Sequence, residues 1–154
     1  MSDQQHITIR RLTSEDIDVF RSLLDVFGDA FEEPRTYMEA QPSDGYLAGL
    51  LGNEQFVVVA ALQSDAVIGG LVAYELKKFE QERSEIYIYD LAVASKHRRC
   101  GIATQLIKHL QSIGAACGAY VIFVQADLGD DPAIKLYSKL GVREDVLHFD
   151  IAVE

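Results

Sequence analysis

The 154-residue sequence lacks the features that define several classes of protein. It has two cysteines, Cys100 and Cys117, and their spacing is not that of metal ligands. The start of the chain, Met1–Gln5, is polar and resembles no signal peptide, and no apolar segment is long enough to span a bilayer. Internal repeats and low-complexity tracts are absent. We therefore expect a cytoplasmic protein with two free thiols and no metal site.

Common catalytic motifs are missing as well. The sequence has no P-loop Gly-x-x-x-x-Gly-Lys-Ser/Thr, no dinucleotide-binding Gly-x-Gly-x-x-Gly and no Gly-x-Ser-x-Gly nucleophile elbow. No His and Glu pair has zinc-ligand spacing.

Basic residues are scarce: 14 lysines and arginines face 24 aspartates and glutamates, for a formal net charge of -10. Such a balance argues against nucleic acid as the main partner and favours cationic small molecules. The alternative is that the charge only keeps the protein soluble. With 49% hydrophobic and 25% charged residues, the composition is that of a globular protein. We expect a single domain over residues 1–154.

Hydrophobic periodicity and turn signals predict an alternation of strands and helices. Strands are predicted at residues 6–12, 56–62, 67–76, 85–93, 120–126 and 146–151. Helices are predicted from a hydroxyl cap at Thr13 to a stop at Gly28, and at residues 44–51, 102–114 and 131–140, with a partly helical loop at 29–43. The apolar run at 120–126 indicates a strand inside a sheet. Because the unit from Glu85 to Ala126 requires a parallel pair, we predict an α/β fold whose mixed, mostly antiparallel sheet has helices on both faces.

The segment Arg98-Arg99-Cys100-Gly101-Ile102-Ala103 lies between a predicted strand and a predicted helix. Gly101 allows close approach of a ligand to the backbone, and the helix start presents unpaired N–H groups with a partial positive charge. Arg98 and Arg99 add fixed charge. This combination predicts a pyrophosphate site.

Asp90 precedes Leu91-Ala92-Val93 at the end of that strand, and strict alternation places it on the face of Ile86 and Ile88. A carboxylate on an apolar face is costly unless it is paired, so Asp90 is a candidate general base or cation ligand. The alternative is a core aspartate bonded to backbone amides. If the strand splays from its neighbour, the backbone of Leu91–Val93 can pair with an extended ligand arm.

Tyr137, on the helix after the apolar strand, is a candidate proton donor to a leaving thiolate, or else an aromatic ring packed on the sheet. Acidic side chains follow the carboxyl ends of strands, where ligands of α/β sheets bind. Candidate contacts for a cationic substrate are Glu85, Asp90, Asp127, Asp130 and Asp150. Asp131, before Pro132, is interpreted as a helix cap.

The pattern Arg98-x-x-Gly101-x-Ala103, with the strand before it and Leu136-Tyr137 after it, resembles the acetyl-CoA loop of the GNAT superfamily of N-acetyltransferases. Longer strings resemble the GNAT-type aminoglycoside 3-N-acetyltransferases. These strings lie at residues 79–93, 118–133 and 148–151.

The resemblance implies acetyl transfer from acetyl-CoA to the 3-amino group of a 2-deoxystreptamine antibiotic of the gentamicin class, and hence antibiotic resistance. It assigns the pantetheine arm to Leu91, Ala92 and Val93, the amine to Asp90 and the CoA sulfur to Tyr137. The pyrophosphate is assigned to the Arg98 loop and to the backbone amides of Arg99, Cys100, Gly101, Ile102, Ala103 and Thr104.

The superfamily fold ends with two strands after the tyrosine helix, whereas this sequence predicts one. Two explanations stay open: the sheet edge is short, or a partner chain covers it. Because bare sheet edges invite pairing, our hypothesis is a homodimer. Two other functions stay open: the same fold acting on a polyamine or a protein amino terminus, and a non-catalytic binder of CoA or polycations.

Overall fold

The computed structural model describes residues 6–154, and Met1–Gln5 lie outside this range. One sheet has the strand order β1-β2-β3-β4-β5. The strands are β1 Ile7–Arg11, β2 Phe56–Gln63, β3 Ala66–Lys77, β4 Ser84–Val93 and β5 Ala119–Val124. Neighbouring strands are antiparallel except for β4 and β5, which are parallel. The predicted mixed sheet is confirmed.

Helices cover both faces of the sheet, as predicted. They are α1 Ile17–Ala30, α2 Pro34–Tyr37, α3 Asp44–Leu51, α4 Ile102–Cys117 and α5 Asp131–Leu140. Strand β2 is buried on both sides. Val58 and Ala60 pack in the cluster beneath α1 and α3, whereas Val57 and Val59 pack in the cluster beneath α4.

Two predicted boundaries of α1 were wrong. The helix is preceded by Asp16 rather than capped at Thr13, because the Asp16 carboxylate is held by Arg10 at 2.9 Å and by the Thr13 amide at 2.8 Å. Gly28 does not stop the helix. A Cβ there would lie 2.6 Å from the Met38 sulfur, so this glycine makes room for the segment that follows α1.

A β-bulge changes the face on which Asp90 lies. Val72 of β3 faces Asp90, but the next residue, Ala73, faces Ile88, so Tyr89 is an extra residue in β4. The bulge turns Asp90 to the face opposite Ile86 and Ile88, and the predicted shared face was wrong.

The C-terminal part differs from the prediction in three ways. Strand β5 is an edge strand rather than an interior one. The predicted strand at 146–151 is not formed: within the described residues that segment pairs with no strand, although the outer edge of β5 is uncovered. The side chain that caps α5 is Asp130, which accepts from the Ala133 amide at 3.3 Å, and Asp131 is the first helical residue.

Candidate active site

The loop before α4 presents a row of unpartnered backbone donors. Arg99 and Gly101 have φ angles of 63° and 77°, in the left-handed region. Among the described residues, the amides from Arg99 to Thr104 donate no backbone hydrogen bond, and Gln105 makes the first one, to the Gly101 carbonyl at 3.1 Å. Unpaired amides at the start of a 16-residue helix are an arrangement that favours anions. The assignment of this loop to a pyrophosphate stays a prediction.

Strands β4 and β5 separate beside this loop. Their pairing ends at Ile88 and Val124, so β4 continues to Val93 without β5 beside it. The Ala94 amide donates to Ile68 of β3 at 2.8 Å, and alternate strand residues point to opposite edges. The N–H and C=O of Val93 therefore point into the opening, where Arg98 Nε reaches the carbonyl at 3.3 Å. The predicted splay is present, and an extended ligand arm can pair with it.

Asp90 lies in a cleft of about 230 Å³ on the α1 and α3 side of the sheet. Its Oδ2 accepts a hydrogen bond of 2.9 Å from the Tyr37 hydroxyl. Six of the 14 residues that line the cleft are aromatic. The ring centroids of Phe27 and Tyr37 are 5.8 Å apart, and those of Tyr74 and Tyr89 are 6.1 Å apart. An apolar cleft with a carboxylate at its base suits a cationic group that brings apolar surface with it.

Burial raises the pKa of the Asp90 carboxyl. The Tyr37 hydrogen bond opposes this shift, and the negative charge of Glu33 adds to it. The pKa of Tyr37 is raised by burial and by Asp90, so Tyr37 stays a neutral donor. A carboxylate with a raised pKa is a stronger base than an exposed aspartate.

Tyr137 lies on the other side of the sheet from Asp90. It packs with Leu136 against the cluster beneath α4, and its pKa is raised by burial and by Asp130. No hydrogen bond joins Tyr137 to Asp90 in the described part of the chain. The two residues are therefore on opposite sides of the opening between β4 and β5, and the structure does not bring them into direct contact.

The predicted acidic contacts are dispersed. Asp127 and Asp130 are exposed in the loop after β5, at the sheet end where β4 also finishes. Glu85 lies at the opposite end of β4, where it accepts from the Tyr120 hydroxyl at 2.6 Å. Asp150 is 94% exposed and contacts His148 at 2.8 Å. The structure brings neither Glu85 nor Asp150 of the same chain to the Asp90 cleft.

Sequence reasoning missed Tyr37 and Glu33 as neighbours of Asp90. The available signal was Glu33-Pro34, a proline at the start of a helix, with a tyrosine one turn later. This signal locates a helical turn but not the strand against which it packs.

Two negative findings apply to residues 6–154. No group of three or more His, Cys, Asp or Glu side chains could hold a metal ion. No helix is long and apolar enough to cross a membrane.

Comparisons with known proteins agree with this geometry. The profile of the acetyltransferase (GNAT) family matches residues 18–142. No curated protein sequence matches at a significant level. The crystal structure of an aminoglycoside acetyltransferase, HMB0005, from an uncultured soil metagenomic sample is 56% identical, with a TM-score of 0.95 over 97% of this chain and 99% of that chain.

A second aminoglycoside acetyltransferase from an uncultured soil metagenomic sample, meta-AAC0020 in complex with sisomicin, is 32% identical. Its TM-score is 0.89, over 96% of this chain and 97% of that chain. AAC(6')-Iy, in complex with the bisubstrate analogue CoA-S-monomethyl-acetylneamine, shares the fold at 18% identity and a TM-score of 0.74, over 96% of this chain and 99% of that chain.

Proposed function

The chain belongs to the acetyltransferase (GNAT) family, and on this premise we propose that it transfers acetyl from acetyl-CoA to the 3-amino group of a 2-deoxystreptamine aminoglycoside of the gentamicin class. The observation that carries the proposal is the opening between β4 and β5, which has free amides at one end and the Asp90 cleft beside it. The free amides attract a polyanionic co-substrate, and the carboxylate in the cleft attracts a polycationic acceptor.

The residues present fit acetyl-CoA, the activated acetyl donor that GNAT acetyltransferases use. Amides 99–104 hold its pyrophosphate, together with the charge of Arg98. The free edge of Leu91, Ala92 and Val93 holds the pantetheine arm. The side chain of Cys100 is given no role.

Asp90 removes a proton from the attacking ammonium, directly or through water, because only a neutral amine is nucleophilic. The Val93 amide stabilises the negative charge that develops on the acetyl oxygen. Tyr137 donates a proton to the departing thiolate. No protein nucleophile takes part, so the transfer has no covalent enzyme intermediate.

Acidic side chains bind the remaining ammonium groups of the acceptor. The candidates for this role are Asp127 and Asp130, after the carboxyl end of β5, and Asp90 in the cleft, whose pKa is also raised by the negative charge of the exposed Glu33. Glu85 and Asp150 stay predictions that the fold of a single chain does not support. The net charge of -10 attracts the acceptor over a longer range.

A thiol-release assay with acetyl-CoA tests the function. Sisomicin and gentamicin-class compounds are compared with spermidine and with a peptide bearing a free amino terminus. We expect turnover with the aminoglycosides and an NMR product spectrum that shows acetylation at the 3-amino group. Acetylation at another position would overturn the regiochemistry alone, and preference for spermidine or the peptide would favour the alternative acceptors.

The biological setting is part of the same proposal. We propose a single domain that acts in the cytoplasm as a homodimer and confers aminoglycoside resistance. Expression in a susceptible bacterium tests the resistance: the inhibitory concentration of gentamicin should rise with the wild-type chain and should not rise with Asp90→Asn.

A further inference from the structure

The chain between α2 and α3 forms one wall of the Asp90 cleft, yet few backbone hydrogen bonds hold it. The residues that line the cleft from this side are Thr36, Tyr37, Gln41 and Pro42. In the described chain, no N–H group of residues 40–43 donates a backbone hydrogen bond. The position of this wall therefore depends on contacts that side chains make.

Helix α1 holds the wall through Arg21. One nitrogen of its guanidinium donates to the Pro42 carbonyl at 2.9 Å and to the Asp44 carboxylate at 2.6 Å. The other terminal nitrogen donates to Oε1 of Gln41 at 3.1 Å. Three contacts from one rigid, planar group fix the chain just before α3.

Every polar atom of the Gln41 carboxamide has a partner. While Oε1 accepts from Arg21, Nε2 donates to the Asp25 carboxylate at 3.2 Å and to the Tyr37 carbonyl at 3.0 Å. The two hydrogens of the NH₂ group thus have one acceptor each. The opposite orientation would place the NH₂ group against the guanidinium, so these contacts select one orientation of the amide. In the described chain, no backbone amide donates to the Tyr37 carbonyl, and Gln41 is its partner.

Tyr37 connects this network to Asp90. Its ring packs against Phe27 and Phe31, with centroids 5.8 Å and 5.7 Å away, and its hydroxyl donates to Asp90 Oδ2 at 2.9 Å. Gln41 therefore binds the backbone of the residue whose side chain binds the carboxylate. A displacement of the Tyr37 backbone moves the hydroxyl as well, because the phenol is a rigid group.

We propose that Gln41 is a positioning residue for acetyl transfer: its carboxamide, anchored by Arg21, fixes Tyr37 so that the hydroxyl meets the carboxylate of Asp90. The inference rests on the proposed function, in which Asp90 removes the proton from the attacking ammonium. Gln41 acts through Tyr37, and its role does not depend on which amine receives the acetyl group.

The pKa of Asp90 reports this contact. The Tyr37 hydrogen bond stabilises the ionised carboxylate, so its loss raises the pKa. The titratable groups that face Asp90 are Glu33 and Tyr37 at α2, Tyr74 on β3, and Tyr87 and Tyr89 on β4. The lining residues from α1 and α3 are all apolar. Phenols are neutral in the acid range, and Glu33 is the same in every variant below, so a change in the pKa reports the contact with Tyr37.

The first test is an NMR titration of the side-chain carboxyl carbons in protein labelled at aspartate, with the Asp90 signal assigned from Asp90→Asn. Gln41→Met keeps the length of the side chain but cannot donate to the Tyr37 carbonyl, and we expect it to raise the pKa of Asp90. Gln41→Asn, whose amide is one methylene shorter, should raise it as well and serves if Gln41→Met does not fold. The matched control is Gln111→Met, at an exposed position of α4, which should leave the pKa unchanged.

A double variant separates the route through Tyr37 from any other. In the Tyr37→Phe background, where the hydroxyl is absent, Gln41→Met should not change the pKa of Asp90 further. Equal pKa values in wild type and in the folded Gln41 variants would overturn the proposal. A shift of the same size with and without the Tyr37 hydroxyl would overturn it too, because Gln41 would then act by another route.

The second test is thiol release across the acid range with a gentamicin-class acceptor. We expect Gln41→Met to move the acid limb of kcat/KM to higher pH and to lower kcat/KM on that limb by up to about 10²-fold. The KM for acetyl-CoA should stay unchanged. A loss that is equal at every pH would show that Gln41 only holds the wall, and would overturn the positioning role. A wild type inactive towards aminoglycosides would overturn the proposed function, whereas the NMR titration would still decide the role of Gln41.

Discussion

Residues 6–117, the packed region, and residues 118–154, the open region, differ in how they bury apolar side chains. Each buried residue that the structure describes lies at or before Gly114. The packed region holds two clusters, one on each face of the sheet, with Leu23, Leu71 and Leu106 fully buried. The open region has a strand and a helix with no buried residue.

The comparison divides the proposed catalytic groups between the two regions. Asp90 and the amides before α4 are held by the chain's own core, whereas Tyr137 lies on α5. We infer that the packed region holds the base and the anion loop, whereas the acid lies on a helix with no buried residue and packs against the cluster beneath α4 as a partly buried side chain. The following predictions test this division.

The largest expected effect is on catalysis in the packed region. Asp90→Asn keeps the shape of the side chain but removes the base, and we expect kcat/KM to fall by about 10²–10⁴-fold. Thiol release with a gentamicin-class acceptor measures this. The control is Asp65→Asn, in the exposed turn between β2 and β3. Equal activities of wild type and Asp90→Asn would remove Asp90 from the mechanism.

The next largest effect concerns the free energy of unfolding, to which buried side chains of the two regions should contribute differently. Leu106 is 0% exposed, and Leu106→Ala should lower the free energy of unfolding by about 2–5 kcal/mol. The matched control is Leu128, which follows β5 and is 89% exposed. Leu128→Ala should change the free energy of unfolding by less than about 0.5 kcal/mol. Urea unfolding measures both. Similar losses would mean that residues after β5 are packed in solution.

The sequence predicts the packed region well because its signals are local. The continuous apolar run in Phe56–Gln63 and the amphipathic pattern of Ile102–Cys117 predict a buried strand with a helix packed across the sheet. The loop at Gly101 follows from its place between a strand and a helix. The face of Asp90 could not be predicted, since one extra residue at Tyr89 depends on how β3 pairs with β4.

The open region could not be predicted as well from the sequence. Alternation at 146–151 predicts a strand with one buried face, but the structure leaves the segment exposed, because an alternating pattern does not by itself provide an edge with which the strand can pair. Composition also misplaced β5, because an apolar edge strand and an interior strand have the same sequence signal. The contact between Tyr37 and Asp90 joins residues 53 positions apart, and no local pattern encodes it.

The anion loop, which lies in the packed region, gives the third prediction. Gly101 has φ 77° and open space around its Cα, so Gly101→Ala tests the backbone conformation rather than a clash. If the loop keeps its conformation, the left-handed alanine should lower the free energy of unfolding by about 1–2 kcal/mol. If the loop rearranges instead, the KM for acetyl-CoA should rise. The control is Gly45→Ala, also in open space but in α3 with an ordinary φ. An unchanged stability and KM in Gly101→Ala would separate the loop from cofactor binding.

The smallest expected effect is on the pH dependence of stability and activity. Two tyrosine–carboxylate pairs can be compared for this purpose. Within the packed region Tyr37 donates to Asp90 at 2.9 Å, and Tyr120 of the open region donates to Glu85 of the packed region at 2.6 Å. Burial dominates at Asp90 and raises its pKa, whereas the tyrosine hydrogen bond dominates at Glu85 and lowers its pKa. Because the fold favours the neutral form of Asp90, the protein loses stability as the pH rises above 3.8 and through the raised pKa of the folded state. The Glu85 contribution has the opposite sign, because it is present above 4.5 and is lost as the pH falls through the folded pKa.

Catalysis needs Asp90 ionised, so activity should fall as the pH drops through its raised pKa. Tyr37→Phe removes the hydrogen bond that favours the carboxylate, and the pKa of Asp90 should rise further. We therefore expect the acid limb of kcat/KM to move to higher pH in Tyr37→Phe and to stay in place in Tyr120→Phe. Rates of thiol release across the acid range measure both. If the limb moved equally in the two variants, the base would not be the carboxylate that Tyr37 contacts, and the catalytic role of the packed region would have to be assigned to another group.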